Sequence, residues 1–277
     1  MKNIKYITLL LITSLFFTSC EEVIDVKLDT AAPRLVVEAS ILWEKGTAGN
    51  EQMIKLTTTT DYFNNVIPSV SNAIVFVTDT NGHTFNFIET TPNTGKYYCT
   101  NFIPIIDGKY DLTVTYANQT YTATETLKSV VSFNSNIEQN NDGGFLGDDI
   151  EIRAYYTDPA NIQNNYLLTA QSNVDNRNQY SASEDQFYDG NTIFSNYTDE
   201  DLAPGHIVKF RIDGISKSYY NYLNKLLAIA GTEGGGGMFS PPPATIRGNL
   251  INASNIDNYA LGFFRLSETT GINYTVQ

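Results

Sequence analysis

The sequence predicts a mainly β protein: an N-terminal immunoglobulin-like or transthyretin-like antiparallel β-sandwich, then a second β-rich domain carrying one amphipathic helix. Three observations lead there. Short runs of alternating apolar and polar residues, rich in Val, Ile, Thr, Tyr and Phe, recur along the chain. Clusters of Gly, Asn and Asp separate them at the spacing of strand turns. Only the stretch near 216–230 holds apolar residues at helical spacing.

The chain starts with Lys2 and Lys5, turns apolar through Ile7–Ile12, and closes on Leu15-Phe16-Phe17-Thr18-Ser19-Cys20. A basic start, a short apolar core and small residues before a cysteine form a lipoprotein signal peptide over residues 1–19, with Cys20 as the lipid-bearing N-terminus. The apolar core is well short of the roughly 20 residues that span a bilayer as a helix. Phe17 stands where leucine is commoner. Residues 20–32 read as an acidic tether, with Glu21, Glu22 and Asp25 just after the anchor. Loss of Lys2 and Lys5 takes the formal charge from −13 to −15. Such acidity excludes nucleic acid as a partner, because phosphates reward Lys and Arg. Attachment to the lipid bilayer then falls to the acyl chains on Cys20. Cys99 is left without a disulfide partner and is expected to be a buried thiol.

The first body, 33–130, opens with 34–39 as a strand after Pro33 and continues with 53–60 and 73–78. Asn81-Gly82 then turns the chain into 83–88. Lys109–Tyr116 places Tyr110, Leu112, Val114 and Tyr116 on one face; Asn118-Gln119 is the expected turn and 120–124 the next strand. The second body, 131–277, starts with a polar linker broken at Gly143-Gly144, followed by strands at 149–156, 165–170 and 206–212. Tyr219, Tyr222, Leu223, Leu226, Leu227 and Ala230 share one helical face, with Ser218 as cap or first-turn residue and Gly231 as the stop. A Gly/Pro-rich loop covers 231–243, and a last aromatic strand runs over 259–266.

No constellation signals catalysis. His83 and His206 both follow turns, and no nucleophile elbow, zinc helix or phosphate-cradling loop is present. Paired carboxylates at Asp148/Asp149 and Glu184/Asp185 would suit a hydrolase, but 30 acidic residues produce such neighbours by chance. In the segment 138–149, Glu138, Asn140, Asp142 and Asp149 fall at the ligand positions of a calcium loop, with Gly143 at the turn. The competing reading is a solvated loop, and no other cofactor is implied. The 18 tyrosines concentrate partly in the second body and suit either strand packing or a stacking surface for a glycan or peptide. Met238 and Phe239, carried on four glycines, together with Tyr219 and Tyr220, are the candidate partner contacts.

Several segments share an order and spacing with a known group. Val23-Ile24-Asp25 after Cys20, Pro33–Glu38, Ser71–Val75, Gly108–Leu112, Tyr219–Leu223, Pro242–Ala244, Arg247–Leu250 and Ala260–Phe264 resemble the Bacteroidota outer-membrane lipoprotein family named domain of unknown function 4249 (DUF4249). Leu250, where isoleucine is common, and the glycine-rich 234–237 depart from it. The resemblance implies an outer-membrane lipoprotein that assists a TonB-dependent transporter of the SusC type. Glu21, Glu22 and Asp25 resemble the surface-export signals of that phylum, which implies a protein facing the cell exterior; the alternative is a generic acidic tether on the periplasmic leaflet. The family carries no catalytic motif. The expected function is therefore a non-enzymatic accessory lipoprotein in nutrient capture or gating, with a stand-alone adhesin or glycan-binding module as the alternative and a hydrolase third.

Overall fold

The structure, a computed structural model, describes residues 32–61, 64–144, 146–175, 177–230 and 246–277. Cys20, Glu21, Glu22, Asp25, Met238 and Phe239 lie outside them. Alternation sets the strands of the first half. In β1 (Leu35–Glu44), Leu35, Val37, Ala39 and Ile41 are buried, and in β2 (Gln52–Thr58) so are Ile54 and Leu56. β3 (Ile74–Asp79), β4 (Thr84–Glu89), β5 (Lys96–Cys99), β6 (Lys109–Tyr116) and β7 (Gln119–Thr126) follow. Each fully buried Ile or Leu contributes about 1.5–3 kcal/mol of transfer free energy. Around them Phe102 packs on Phe85 and Tyr110, with ring centroids 4.8 and 5.2 Å apart. Cys99 is buried there, its Sγ 3.2 Å from Asn101 Oδ1.

Two turns differ in detail from expectation. At Asn81-Gly82 only Gly82 takes positive φ (83°), and the Asp79 carboxylate holds the loop by accepting the N–H groups of Asn81 and His83. Burial pushes the Asp79 carboxyl up, but these bonds and the one to His83 outweigh it and hold it below its ordinary value. The β6–β7 turn sits one residue earlier than Asn118-Gln119. Ala117 and Asn118 are both left-handed, and Tyr116 pairs with Gln119.

The second half supplies β8 (Phe133–Gly143), β9 (Asp149–Thr157), β10 (Asn165–Ser172), β11 (Gln179–Glu184), a 3-10 turn (Asp185–Phe187), β12 (Thr192–Asp199) and β13 (Ile207–Gly214). Helix α1 (Lys217–Ala230), β14 (Ile251–Asn252) and β15 (Leu261–Thr275) complete it. The expected polar linker is largely β8, a strand with polar residues on both faces whose pairing with β9 makes it extended. Ser216, not Ser218, caps the helix: its Oγ accepts the Tyr219 N–H at 3.1 Å, while Ser218 lies in the first turn. The helix buries Leu223 and Leu227 against Leu167 and Ile215. Among the described residues no helix is long and apolar enough to cross a membrane.

The protein is mainly β with one α-helix among the described residues, as expected, and it has β-sandwich character, but the two sets of first-half strands are joined through β4, which pairs with both β5 and β3. A single curled sheet of 12 strands runs β11-β10-β13-β15-β1-β2-β5-β4-β3-β6-β7-β14, beside a three-stranded sheet β12-β9-β8. The long β15 joins the halves, pairing in parallel with β1 through Leu261–Thr269 and antiparallel with β13 through Thr269–Thr275. Residues Pro33–Gln277 form one compact unit. The junction near 130 is pinned: Val130 N–H donates to Glu268 Oε2 at 2.9 Å, and Lys45 Nζ donates to the Val130 carbonyl at 2.8 Å.

The β1–β15 seam collects segments that are far apart in sequence. Gly262 holds φ +92°, and a Cβ there would stand 2.1 Å from the Val37 carbonyl oxygen. Asn249 acts as a substitute strand partner, exchanging two side-chain bonds with the Phe264 backbone. The Tyr259 ring takes the guanidinium groups of Arg34 and Arg247, at 3.9 and 3.8 Å from its centroid.

Candidate functional site

Among the described residues β11 ends the long sheet and β12 ends the short one, so each presents a strand edge with no further described strand beside it. A groove runs between them as two adjoining hollows of about 400 and 520 Å³. Leu168 forms part of the floor, while Ser181 of β11 and Phe194 of β12 line both hollows. Tyr180, Tyr188 and Phe194 are exposed along it, and Tyr220 of α1 reaches it from one side. Gln179, Ser181, Ser183, Thr192 and Asn196 add hydroxyl and amide groups. Glu184 is the charged residue of this lining, and its carboxylate is held by Lys217 Nζ at 2.5 Å. The groove is thus aromatic, rich in neutral polar groups, and nearly free of open charge. At one end Gln179 Nε2 reaches across to the Thr198 carbonyl at 3.3 Å.

At the other end, beyond Tyr156, Glu184 and Tyr188, three carboxylates converge. One oxygen from each of Asp158, Asp185 and Asp189 lies within 4.8 Å of the others. Asp158 Oδ1 accepts the Tyr166 hydroxyl at 2.8 Å, and its Oδ2 is buried with no partner among the described residues. Asp185 Oδ2 accepts the Asn164 N–H at 3.0 Å and Asp189 Oδ1 the Asn161 N–H at 2.7 Å. Burial pushes the Tyr166 hydroxyl well above its ordinary value, and its bond to Asp158 adds to that. The signal in the sequence was faint: Asp158 and Asp185 are 27 positions apart, and the β10–β11 hairpin folds them together.

The expected calcium loop is laid out differently. Glu138, Asn140 and Asp142 lie along extended β8, which sets Glu138 and Asp142 roughly 13 Å apart at strand rise. Glu138 accepts the Tyr155 hydroxyl at 2.5 Å, and Asn140 Oδ1 accepts the Asp142 N–H at 3.1 Å. Asp149 opens the next strand, opposite Gly143. These oxygens do not gather around one point, because a strand spreads what a calcium loop coils.

The paired carboxylates also separate. Glu184 goes to Lys217 and Asp185 to the aspartate cluster. Tyr219 packs against Phe263, at a centroid distance of 5.0 Å, with Arg265 over its ring, so it is held within the fold. Tyr220 alone of the expected contacts among the described residues borders the groove. His83 keeps an exposed ring tied to Asp79 Oδ2 at 2.8 Å, and His206 Nδ1 accepts the Ala203 N–H at 3.0 Å. Trp43 lies elsewhere, against the first-half core, with its indole donating to the Thr47 carbonyl.

Residues 21–272 match the family described as a domain of unknown function, DUF4249. No curated protein matches the chain. Among solved structures, a DUF4785 family protein from Legionella pneumophila is similar at 9% identity, over 65% of this chain and 52% of that one, with a TM-score of 0.26. The chain therefore spans about half of that relative. A cytokine receptor complex is similar at 10% identity, over 67% and 92%, with a TM-score of 0.27. A two-domain fibronectin type III segment of chicken tenascin is similar at 10%, over 66% and 90%, with a TM-score of 0.21.

Proposed function

The chain belongs to the DUF4249 family, and we propose that it is a non-catalytic, glycan-binding adhesion module. In this reading it is anchored through lipid on Cys20 to the outer membrane and faces the cell exterior, with Glu21, Glu22 and Asp25 as the export tether. The groove between β11 and β12 carries the reading. Exposed Tyr180, Tyr188 and Phe194 offer flat apolar faces, and Ser181, Ser183 and Asn196 offer hydrogen bonds between them. That combination suits a neutral polyhydroxyl chain, which stacks by its apolar faces and bonds by its hydroxyls. With Glu184 neutralised by Lys217, the groove offers little to a charged ligand.

The test is calorimetric titration of the full chain in mild detergent with a panel of neutral oligosaccharides. At least one should bind, and Tyr180→Ala with Tyr188→Ala should weaken it at least ~10-fold, the loss expected for 1.4 kcal/mol. An absence of binding across the panel, or binding untouched by both changes, refutes the reading. Mass spectrometry of the N-terminus tests lipid on Cys20, and protease added to intact cells tests surface exposure.

A second reading, assistance to a TonB-dependent transporter, draws support from another surface. Met53, Tyr98 and Ile88 stand in register across β2, β5 and β4, and all three are exposed. Such an apolar row on an open sheet face is suited to a protein partner. Ile88→Glu should then reduce recovery of a co-purifying barrel from native membranes while leaving oligosaccharide binding intact.

A further inference from the structure

Three carboxylates within 4.8 Å of one another carry no cation among the described residues: no Lys, Arg or His forms an ion pair with Asp158, Asp185 or Asp189. Asp158 is 2% exposed and Asp185 8%, so water compensates these two poorly. Buried carboxylates are ordinarily paired or bound to a metal, since an uncompensated buried charge is costly. Here each aspartate gives one oxygen to a protein donor, Tyr166, Asn164 or Asn161, which fixes its orientation. Asp158 Oδ2 has no donor among the described residues.

We infer that Asp158, Asp185 and Asp189 form a calcium site that ties the loop after β9 to the turn after β11. The all-oxygen donor set is that of a hard cation. Asp189 is exposed, which leaves room for water in the remaining positions of a cation that takes 6–8 ligands. Calcium is favoured over magnesium because magnesium demands a near-ideal octahedron and gives up its waters reluctantly. This site stands whether or not the neighbouring groove takes a glycan. It is also separate from the β8–β9 hairpin, whose acidic side chains are spread along strands.

The full chain is stripped with chelator, dialysed, and melted with and without 10 mM calcium chloride, about tenfold or more above the dissociation constants of extracellular calcium modules. Calcium should raise the melting temperature by about 2–8 °C. Asp189→Asn, at an exposed position, should fold normally and lose most of that rise, as should Asp158→Asn where it folds. Asp142→Asn, on the hairpin, should keep the whole rise. Magnesium at the same concentration should give less than half of the calcium shift. A wild-type chain that calcium does not stabilise overturns the site. So does a full rise in Asp189→Asn, a lost rise in Asp142→Asn, or an equal response to magnesium.

Discussion

Arg265 donates through Nη1 to Asp213 Oδ2 at 3.0 Å, linking β15 to β13 where Asp213 has no exposure to solvent. Thr269 Oγ1 donates to Asp213 Oδ1 at 2.7 Å, Arg265 Nε donates to Ser40 Oγ of β1 at 3.1 Å, and the guanidinium lies over Tyr219 of α1. One buried charge pair therefore fastens three strands and the helix together. A pair of this kind is costly to form and more costly to break, because its remaining partner stays buried without compensation.

Arg265→Met is expected to cost about 3–5 kcal/mol, the usual loss when one member of a buried pair is removed. Urea titration followed by tyrosine fluorescence measures it. Arg211 Nη2 still reaches Asp213 at 3.3 Å, so the loss should fall toward the lower end. In a double-mutant cycle, Asp213→Asn combined with Arg265→Met should cost less than the two single losses added together.

Two glycines with similar φ should respond very differently to alanine. Gly82, at +83°, has nothing within 4 Å of an added Cβ, so Gly82→Ala should cost only about 1–2 kcal/mol for the left-handed backbone. Gly262, at +92°, would place that carbon 2.1 Å from the Val37 carbonyl oxygen and force β1 and β15 apart. Its substitution should lower the melting temperature several-fold more than that of Gly82, and a similar drop in both would show that the seam yields.

Burial pushes the Tyr156 hydroxyl up from 10.0 to about 12. Below pH ~10 both folded and unfolded chains keep this proton, and its contribution to stability is constant. Between pH ~10 and 12 the unfolded chain releases it first, so stability falls, by about 2–3 kcal/mol from this group. Tyr156→Phe should flatten that part of the alkaline decline in urea titrations at pH 8, 10 and 11.5. At pH 8 it should cost at most about 1 kcal/mol, the net worth of one hydrogen bond, since the buried hydroxyl has only a loose contact with Ser183.

Tyr180 and Tyr188 lie exposed beside the groove. Alanine at either position should shift stability by no more than about 0.5 kcal/mol, the usual range for such surface sites. Leu223→Ala in α1 is the contrasting change: it empties a buried contact with Leu167 and Ile215 and should cost about 2–5 kcal/mol. Calorimetric melts of the three variants should separate the groove rim from the packing beneath it.

Local chemistry by itself determined a good part of this protein. Lys109–Tyr116 is strand β6 to the residue, because Tyr110, Leu112 and Val114 alternate with polar neighbours and need only one apolar face to be buried. The helix was equally legible from its Tyr219–Leu227 face, and Cys99 is buried as its aromatic, strand-like surroundings implied. The tertiary structure decided the rest. β8 is polar on both sides and becomes a strand only because β9 supplies its hydrogen bonds. β11 and β12 are edge strands with weak alternation, so neither announces itself, and the groove exists only where those two edges meet. The union of the two halves rests on β1 and β15, which pair in parallel across more than 200 residues of chain. Asp158, Asp185 and Asp189 become neighbours through the β10–β11 hairpin in the same way. Periodicity records which side of a strand is buried; it holds no record of which distant strand lies alongside, and both candidate sites depend on that.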